Sequence, residues 1–337
     1  MAIFFLKRFG MMLVTMVVSS FLIFAISEFS PGNVASKTLG PYATQAQKDI
    51  LFEKLQLGDP LILRYARWAG VLLGVIPDPL QDPALGLSFT DSRGDQYFGN
   101  FGYSALFKSP VNDIMWDKLG NTLALAGIAF AIIVPLSLVF GVLSGMREGS
   151  VLDRSLSYTS ITLTSIPEFA SATFLMAIFV AWLTILPGVS GLQSFDEWSW
   201  GAQMVLPVAV LVLYDFGYVA RMVRGSMVEV MTMPYIRTAV LKGLPYRTVI
   251  LRHALRNALI TPFTVILLQI PFLISGVVVT EVAFAYPGFG RMLLEAALFG
   301  DIALVEAAAL IAVFVAVMTQ LIGDVGYMYI NPRIRFT

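Results

Sequence analysis

The chain has 337 residues, of which 57% are hydrophobic and 13% charged, and its formal net charge is zero. This apolar content exceeds that of a soluble globular chain of the same length, so the composition predicts a polytopic membrane protein. The zero net charge argues against a nucleic-acid-binding protein, which needs a basic face. With no cysteine and one histidine, the chain lacks the residues for disulfides, thiolate metal sites or histidine clusters, and we expect no metal site.

Six apolar segments are long enough to cross about 30 Å of hydrocarbon as helices. In chain order, they are the segment between Arg8 and Glu28, then Leu119–Met146, Phe169–Leu186, Ala202–Ala220, Ala258–Thr280 and Ile302–Gly323. The first is too long and too uniformly apolar for a cleaved signal sequence, so we interpret it as a retained anchor. The pattern predicts an all-α membrane protein with six transmembrane helices and both termini on one side.

The distribution of Lys and Arg predicts the orientation of these helices. Thirteen cations lie on the side of the termini, seven of them between residues 221 and 256. The short loops of the opposite side contain only Arg291. Eight further cations lie in the long loop between the first two spans, but long loops translocate largely regardless of charge. We therefore expect both termini in the cytoplasm and a large extracytoplasmic loop between the first and second helices.

The long loop contains helix signals of its own. Thr44 followed by Gln47 is a capping-box pattern, and Gly58 with Pro60 ends the helix that it predicts. A second helix is predicted over about Leu61–Leu73. The Gly- and Tyr-rich stretch 90–109 is expected to be irregular.

The densest block of positive charge is "PYIRTAVLKGLPYRTVILRHALRNAL", residues 234–259, which contains five Lys and Arg residues, the one histidine and no carboxylate. Pro234 suits the first position of a helix, Gly243 a left-handed residue that ends it, and Pro245 the start of a second helix towards the fifth span. We expect the short helix to bury little against its own protein and so to need a partner. The alternative is a topology signal that attracts anionic lipid headgroups.

The sequence "YIRTAVLKGL" followed by "ILRHALRNAL" resembles the cytoplasmic EAA loop of importer permeases, specifically those of the oligopeptide and dipeptide permease family. The resemblance extends in the same order over most of the chain, through "FLKRFGMMLVTMVVSSFLIFAISEFSPGN", "QLGDPLILRYARWAGVLLG", "SPVNDIMWDKLGNTLAL", "GSVLDRSLS", "SIPEF", "ARMVRGSMVEVM", "VAFAYPGFGRMLLEA" and "NPRIRF". Arg237-Thr238-Ala239 replaces the Glu-Ala-Ala start, and Leu255-Arg256 replaces the Leu-Pro ending, as in the oligopeptide branch. Residues 80–99 are interpreted as an insertion.

The resemblance implies a permease subunit of a type I ATP-driven importer in the bacterial cytoplasmic (inner) membrane. It divides the chain into the first helix (1–30), an extracytoplasmic loop subdomain (31–118) and a five-helix permease core (119–337) with a cytoplasmic coupling loop (221–257). The implied partners are a second related permease, two ATP-binding subunits and an extracytoplasmic substrate-binding protein. ATP and Mg would be bound by the partner subunits, with no cofactor on this chain, which lacks a phosphate-loop motif.

The resemblance also implies that the short helix docks into a cleft of an ATP-binding subunit. The implied coupling residues are Tyr235, Ile236, Arg237, Thr238, Ala239, Lys242, Gly243 and Leu244. Thr238, Ala239 and Gly243 would permit close docking, while Arg237 and Lys242 would pair with acidic residues of the partner. The long loop and "AYPGFG" would face the substrate-binding protein.

Three polar residues in or beside predicted spans are candidates for the substrate pathway. Asp215 is costly in lipid, so it either lines the path near the inner gate or is an interfacial residue that pairs with Arg221 or with a neighbouring chain. Glu168 marks the inner end of the third span, and Gln269 either bonds across helices or faces the pore.

Two other classes of protein fit the sequence less well. An ion-driven secondary transporter should show internal repeats and several mid-span carboxylates, and neither is clear in the sequence. A membrane enzyme should show a nucleophile and base or a metal constellation, and none is visible. We therefore expect a permease without an ATPase site that carries oligopeptides or dipeptides. Oligosaccharides, opine-like compounds or nickel complexes are alternative substrates.

Overall fold

A computed structural model of the chain describes residues 2–28, 44–79, 93–94, 96–191, 198–275 and 277–330. These residues are predominantly helical, as expected. The helices are α1 (Ala2–Glu28), α2 (Gln45–Lys54), α3 (Leu61–Leu72), α4 (Val111–Gly145), α5 (Val151–Ser165), α6 (Glu168–Met176, continued by a π-helix over Ala177–Trp182), α7 (Trp200–Met231), α8 (Pro234–Leu241), α9 (Tyr246–Thr248, a π-helix over Val249–Ala254, then Leu255–Ala258), α10 (Ile260–Ser275), α11 (Val278–Ala283), α12 (Phe289–Phe299) and α13 (Ile302–Ile330).

Five helical segments are long and apolar enough to cross a membrane. They are Leu6–Glu28, Val111–Gly145, Trp200–Met231, Ile260–Ala283 and Ile302–Gly326. The pair α5 and α6, bent by 94°, makes a sixth if it forms one span. The described part of the chain therefore confirms a multi-pass helical membrane protein with five or six candidate spans.

The predicted third span differs most from the structure. The helix there is only Glu168–Trp182, and α5 precedes it, a helix that hydropathy did not predict. Pro167 causes the bend, because a proline disfavours helical dihedrals in the residue before it, and Ile166 is extended with ψ 122°. Helix α7 also continues well past the predicted end of the fourth span, because hydropathy detects the apolar part of a helix rather than the helix itself.

The predicted helices of the loop are confirmed. The Thr44 amide donates to Gln47 Oε1 at 2.9 Å, and the Gln47 amide donates to the Thr44 hydroxyl at 3.4 Å, which completes the capping box. The stretch 90–109 is irregular where described, except for a short antiparallel hairpin. Its strands are β1 (Tyr103–Ser104) and β2 (Ser109–Pro110), with Tyr103 opposite Pro110. The proposed insertion 80–99 lies mostly outside the described residues.

The chain forms two compact units, one of residues 1–121 with 288–317 and the other of residues 122–287 with 318–337. Buried Asp301 organises part of the first unit. Its Oδ2 accepts hydrogen bonds from the Ser104 hydroxyl at 2.5 Å and the Leu106 amide at 3.0 Å, and its Oδ1 accepts one from the Leu304 amide at 3.1 Å. One carboxylate thus fixes the hairpin to the start of α13 and caps that helix.

Two glycines let α4 and α7 approach closely in the second unit. A Cβ added at Gly141 would lie 2.5 Å from the Cβ of Val223, and one added at Gly145 would lie 2.7 Å from the Cβ of Met227. Small residues four positions apart form such contacts between membrane helices because they let the backbones meet.

A buried ion pair joins three helices of the same unit. Arg224 of α7 donates through Nε to Asp153 Oδ1 at 2.6 Å and through Nη2 to Asp153 Oδ2 at 2.9 Å. The hydroxyl of Ser144 at the end of α4 and the amide of Gly149 also donate to this carboxylate. Asp153 is buried near the start of α5, so its charge is satisfied by a charge-assisted network rather than by water.

The contact between α4 and α7 gives a stability prediction. We expect Gly141→Ala to destabilise the protein by about 1–3 kcal/mol, because the added methyl group overpacks a tight contact. Gly127→Ala is the matched control, since Gly127 lies on the same helix and a Cβ added there would have no atom within 4 Å. Thermal unfolding in detergent should show a lower Tm for Gly141→Ala only. Equal Tm values for the two variants would contradict this contact.

Candidate coupling helix and buried polar cluster

Helix α8 begins and ends where the sequence predicted. Pro234 is at its first position, and Lys242 is its C-terminal cap. Gly243 then has φ +74°, and the Leu244 amide donates back to the Ala239 carbonyl at 3.3 Å. A left-handed residue at this point favours glycine, because a Cβ is strained there.

One face of α8 is buried, so the expectation that the helix buries little against its own protein is wrong. Ile236 and Ala239 are only 3% and 6% exposed. They pack with Val249, Ile250 and Ala254 of α9, in a cluster that also includes Met227 at the end of α7. Residues three apart in a helix share a face, which is why these two are buried together. Both belong to the predicted docking set, but in this structure they anchor the helix instead of facing outward.

The remaining predicted coupling residues are exposed: Tyr235, Arg237, Thr238, Lys242, Gly243 and Leu244. Within the described residues, no carboxylate lies within ion-pair distance of Arg237 or Lys242. The sequence prediction omitted Val240, Leu241 and Tyr246, which are 52%, 78% and 51% exposed. These three residues could have been identified from the sequence, because each is apolar or aromatic and lies in α8 or just after the turn that follows it. An exposed surface that mixes apolar and basic groups is typical of a protein interface.

The anchored helix is tied to the helices on both sides of it. Thr232 and Met233 connect it to α7, and the Met233 amide donates to the Val230 carbonyl at 3.1 Å. On the other side, Asn257 Nδ2 donates to the Tyr235 hydroxyl at 3.1 Å. A force on α8 therefore acts on the end of α7 and on α9 rather than on a loose loop.

A second group of polar residues is buried between helices of the same unit. Glu168, at the start of α6, accepts hydrogen bonds from the amide of Thr280, at 3.2 Å, and from its hydroxyl. The adjacent Glu281 accepts one from the hydroxyl of Thr122. Thr122, Thr280 and Glu281 are fully buried. The sequence pattern pointed to Glu168 but not to these three, because they lie at the ends of segments chosen by hydropathy alone.

Asp215 and Gln269 complete this cluster. They are 4% and 7% exposed, and their side chains are neighbours, with Glu168 close enough for its charge to act on Asp215. Asp215 Oδ2 and Gln269 Nε2 nevertheless have no partner in hydrogen-bond geometry. Arg221 donates to the Gly217 carbonyl at 3.2 Å, and the described residues contain no Asp215–Arg221 ion pair. The structure thus brings together all three predicted pathway residues.

The cluster involves helices that are interrupted. Glu168 follows the bend of 94° between α5 and α6, and Thr280 lies in α11. Non-helical backbone at membrane depth is tolerated where it is buried in protein or lines a water-filled cavity. Interrupted helices with buried carboxylates therefore suit a polar pathway.

The segment "AYPGFG" differs from the expectation. Tyr286 is 1% exposed and Phe289 is fully buried, so their side chains do not face an external protein in this structure. Burial, with a further contribution from the charge of Glu281, raises the pKa of Tyr286 to about 12. Its phenol therefore stays neutral at physiological pH. Among the described residues, no group of three or more His, Cys, Asp or Glu side chains could hold a metal ion.

The apolar spans of the described residues define a multi-pass helical membrane protein. Residues 137–336 match the family model described as binding-protein-dependent transport system inner membrane component. The chain belongs to this family, and it is a permease subunit whose relatives rely on separate subunits for ATP hydrolysis.

Two of the relatives illustrate a match over nearly the whole chain. The oligopeptide transport system permease protein of Bacillus subtilis is 30% identical over 340 residues, which cover 100% of each chain. The metal-staphylopine import system permease protein of Staphylococcus aureus is 30% identical over 338 residues, which cover 98% of each. Among solved structures, a chain of the MetNI methionine ABC transporter in an inward-facing conformation matches with a TM-score of 0.51 at 18% identity. The match covers 65% of this chain and 97% of that one. It confirms a shared fold.

Proposed function

We propose that this chain forms half of the pathway by which an ATP-driven importer carries oligopeptides or dipeptides across the bacterial cytoplasmic membrane. The family, and the peptide transport named for the Bacillus subtilis relative, support this proposal. The proposed topology has six spans, cytoplasmic termini and an extracytoplasmic loop at 31–118 that separates the first helix (1–30) from the permease core (119–337). Family membership favours this class over an ion-driven secondary transporter.

The proposed partners are a second related permease, two ATP-binding subunits that hold ATP and Mg, and an extracytoplasmic substrate-binding protein. The observation that carries the coupling role is the structure of α8. Buried Ile236 and Ala239 fix one face, while Arg237 and Lys242 stay exposed on the other. Because exposed cations steer association with an acidic surface, this face suits a cleft on an ATP-binding subunit.

The coupling step follows from how α8 is held. When ATP binding brings the two ATP-binding subunits together, α8 would move with the subunit to which it is docked. Met227 packs in the cluster beneath α8 and lies on the same helix as Asp215, about 18 Å further along the axis. Movement at the membrane edge would therefore reach the polar cluster through one continuous helix.

The polar cluster is the proposed lining of the pathway. Buried carboxylates that lack a cationic partner are costly unless they are hydrated, protonated or visited by a cationic ligand. Asp215 and Glu168 would thus offer acceptors to the N–H groups and ammonium of a passing peptide. The Staphylococcus aureus relative gives a second candidate substrate class, complexes of a metal with an opine-like carrier.

The first prediction of this proposed function concerns the coupling of ATP hydrolysis to transport. We expect Gly243→Pro to reduce peptide-stimulated ATP hydrolysis at least tenfold, because proline cannot adopt the φ of +74° at that position. The assay uses the complex reconstituted in lipid with its binding protein and a peptide pool. Val151→Pro is the control, since Val151 is 82% exposed at the first position of α5, where proline is tolerated, and lies outside the coupling loop.

The outcomes of this assay separate the two parts of the proposal. Stimulation by a metal chelate or a sugar but not by peptides would retain the importer and reject peptides. Full stimulation in an assembled Gly243→Pro complex would reject the coupling role of α8.

The second prediction concerns the pathway. We expect Asp215→Asn to lower peptide uptake at least fivefold without weakening assembly with the ATP-binding subunits, because the change removes a charge and keeps the shape. Asp117→Asn is the control, since Asp117 is exposed on α4. Uptake of labelled peptide into proteoliposomes would be compared for the two variants. Equal uptake by Asp215→Asn and the unmodified complex would remove Asp215 from the pathway.

A further inference from the structure

Helix α3 has the polarity opposite to that of a helix that faces water. Its exposed side chains include Ile62, Leu63, Ala66 and Leu73 at its end, and the three larger ones are 62%, 50% and 56% exposed. At 100° per residue, these positions fall within an arc of about 100°. The arc contains no charged or polar side chain. A surface helix in water places its polar residues outward and its apolar stripe inward.

The two charged residues of α3 lie outside this arc, and each is held in an ion pair. Arg64 forms an ion pair with Glu28 of α1, and the two side chains are only 12% and 15% exposed. Arg67 pairs with Asp59, which precedes the helix. Helix α2 exposes the apolar side chains of Ile50 and Phe52 as well. However, the polar side chains of Gln45, Asp49 and Glu53 are exposed along with them. A wholly apolar outward arc is therefore a feature of α3 and not of α2.

Helix α3 also packs along the membrane-spanning part of α1. The Tyr65 and Ser20 hydroxyls are 2.7 Å apart, and the Tyr65 ring lies edge-on to Phe21, with centroids 5.2 Å apart. Trp68 contacts Phe24, at a centroid distance of 5.7 Å. Ser20 is eight residues before the end of the candidate span at Glu28, which corresponds to about 12 Å along the helix axis. The middle of α3 is thus level with the interior of a span.

We propose that α3 is a membrane-embedded helix whose face of Ile62, Leu63, Ala66 and Leu73 contacts acyl chains in the leaflet at the Glu28 end of α1. Continuity with α1 argues for lipid as the occupant, because α1 exposes apolar residues such as Val18 (52%) and Leu22 (52%) at the same level. Tyr65 and Trp68 are amphipathic aromatic residues of the kind enriched near the membrane interface. The inward ion pair lets both charges avoid hydrocarbon.

The test uses the absence of cysteine from the chain. Single cysteines at Ile62 and Leu63 would be labelled with an environment-sensitive fluorophore, in the assembled complex in nanodiscs made with phospholipids brominated on their acyl chains. Val18→Cys is the lipid-facing control. Ile50→Cys on α2 is the matched control, because it is also an isoleucine and is 49% exposed. We expect quenching at positions 62 and 63 to reach at least half of that at position 18, and position 50 to be little quenched.

Three results would overturn the proposal. Quenching at position 62 no stronger than at position 50 would show that the α3 face does not contact acyl chains. Quenching of the isolated chain that disappears in the assembled complex would show that a protein subunit covers the face. Quenching at position 62 but not at position 63 would show that the proposed arc is wrong, because one edge of it would lie outside the lipid. None of these results depends on which substrate the importer carries.

Discussion

The structure depends on one constraint, which is that a charge or hydrogen-bonding group within the bilayer must find its partner inside the protein. The chain meets this constraint with specific contacts, such as those of Thr280 with Glu168 and of Thr122 with Glu281. In the polar cluster, Asp215 Oδ2 and Gln269 Nε2 are buried without a partner in hydrogen-bond geometry. These two neighbouring side chains are therefore good candidates for groups that meet a passing substrate.

Apolar packing explains why α8 can act as a coupling element. A short helix of eight residues is marginal by itself, so its position depends on tertiary packing. Ile236 and Ala239 supply this packing, and the glycine contact between α4 and α7 holds the helix that leads into it. The basic face can then remain exposed without an ion-pair partner among the described residues, which is what a docking surface requires.

Much of this architecture could be predicted from the sequence, because its signals are local. The capping box at Thr44, the start of α8 at Pro234 and its end at Gly243 each follow from the chemistry of one or two residues. The α5–α6 bend was missed because α5 is too polar for a hydropathy window. The burial of Ile236, the clustering of Asp215 with Glu168, and the outward apolar face of α3 depend on distant residues, which periodicity alone does not reveal.

The most direct test of the central claim is site-specific photo-crosslinking in the assembled complex. A benzophenone amino acid would replace Leu241, which is 78% exposed on α8, and in a separate variant Leu298, which is 74% exposed on α12. If α8 docks on an ATP-binding subunit, the probe at position 241 will crosslink to that subunit and the probe at position 298 will not. Equal crosslinking from both positions, or none from position 241 in an active complex, would contradict the account.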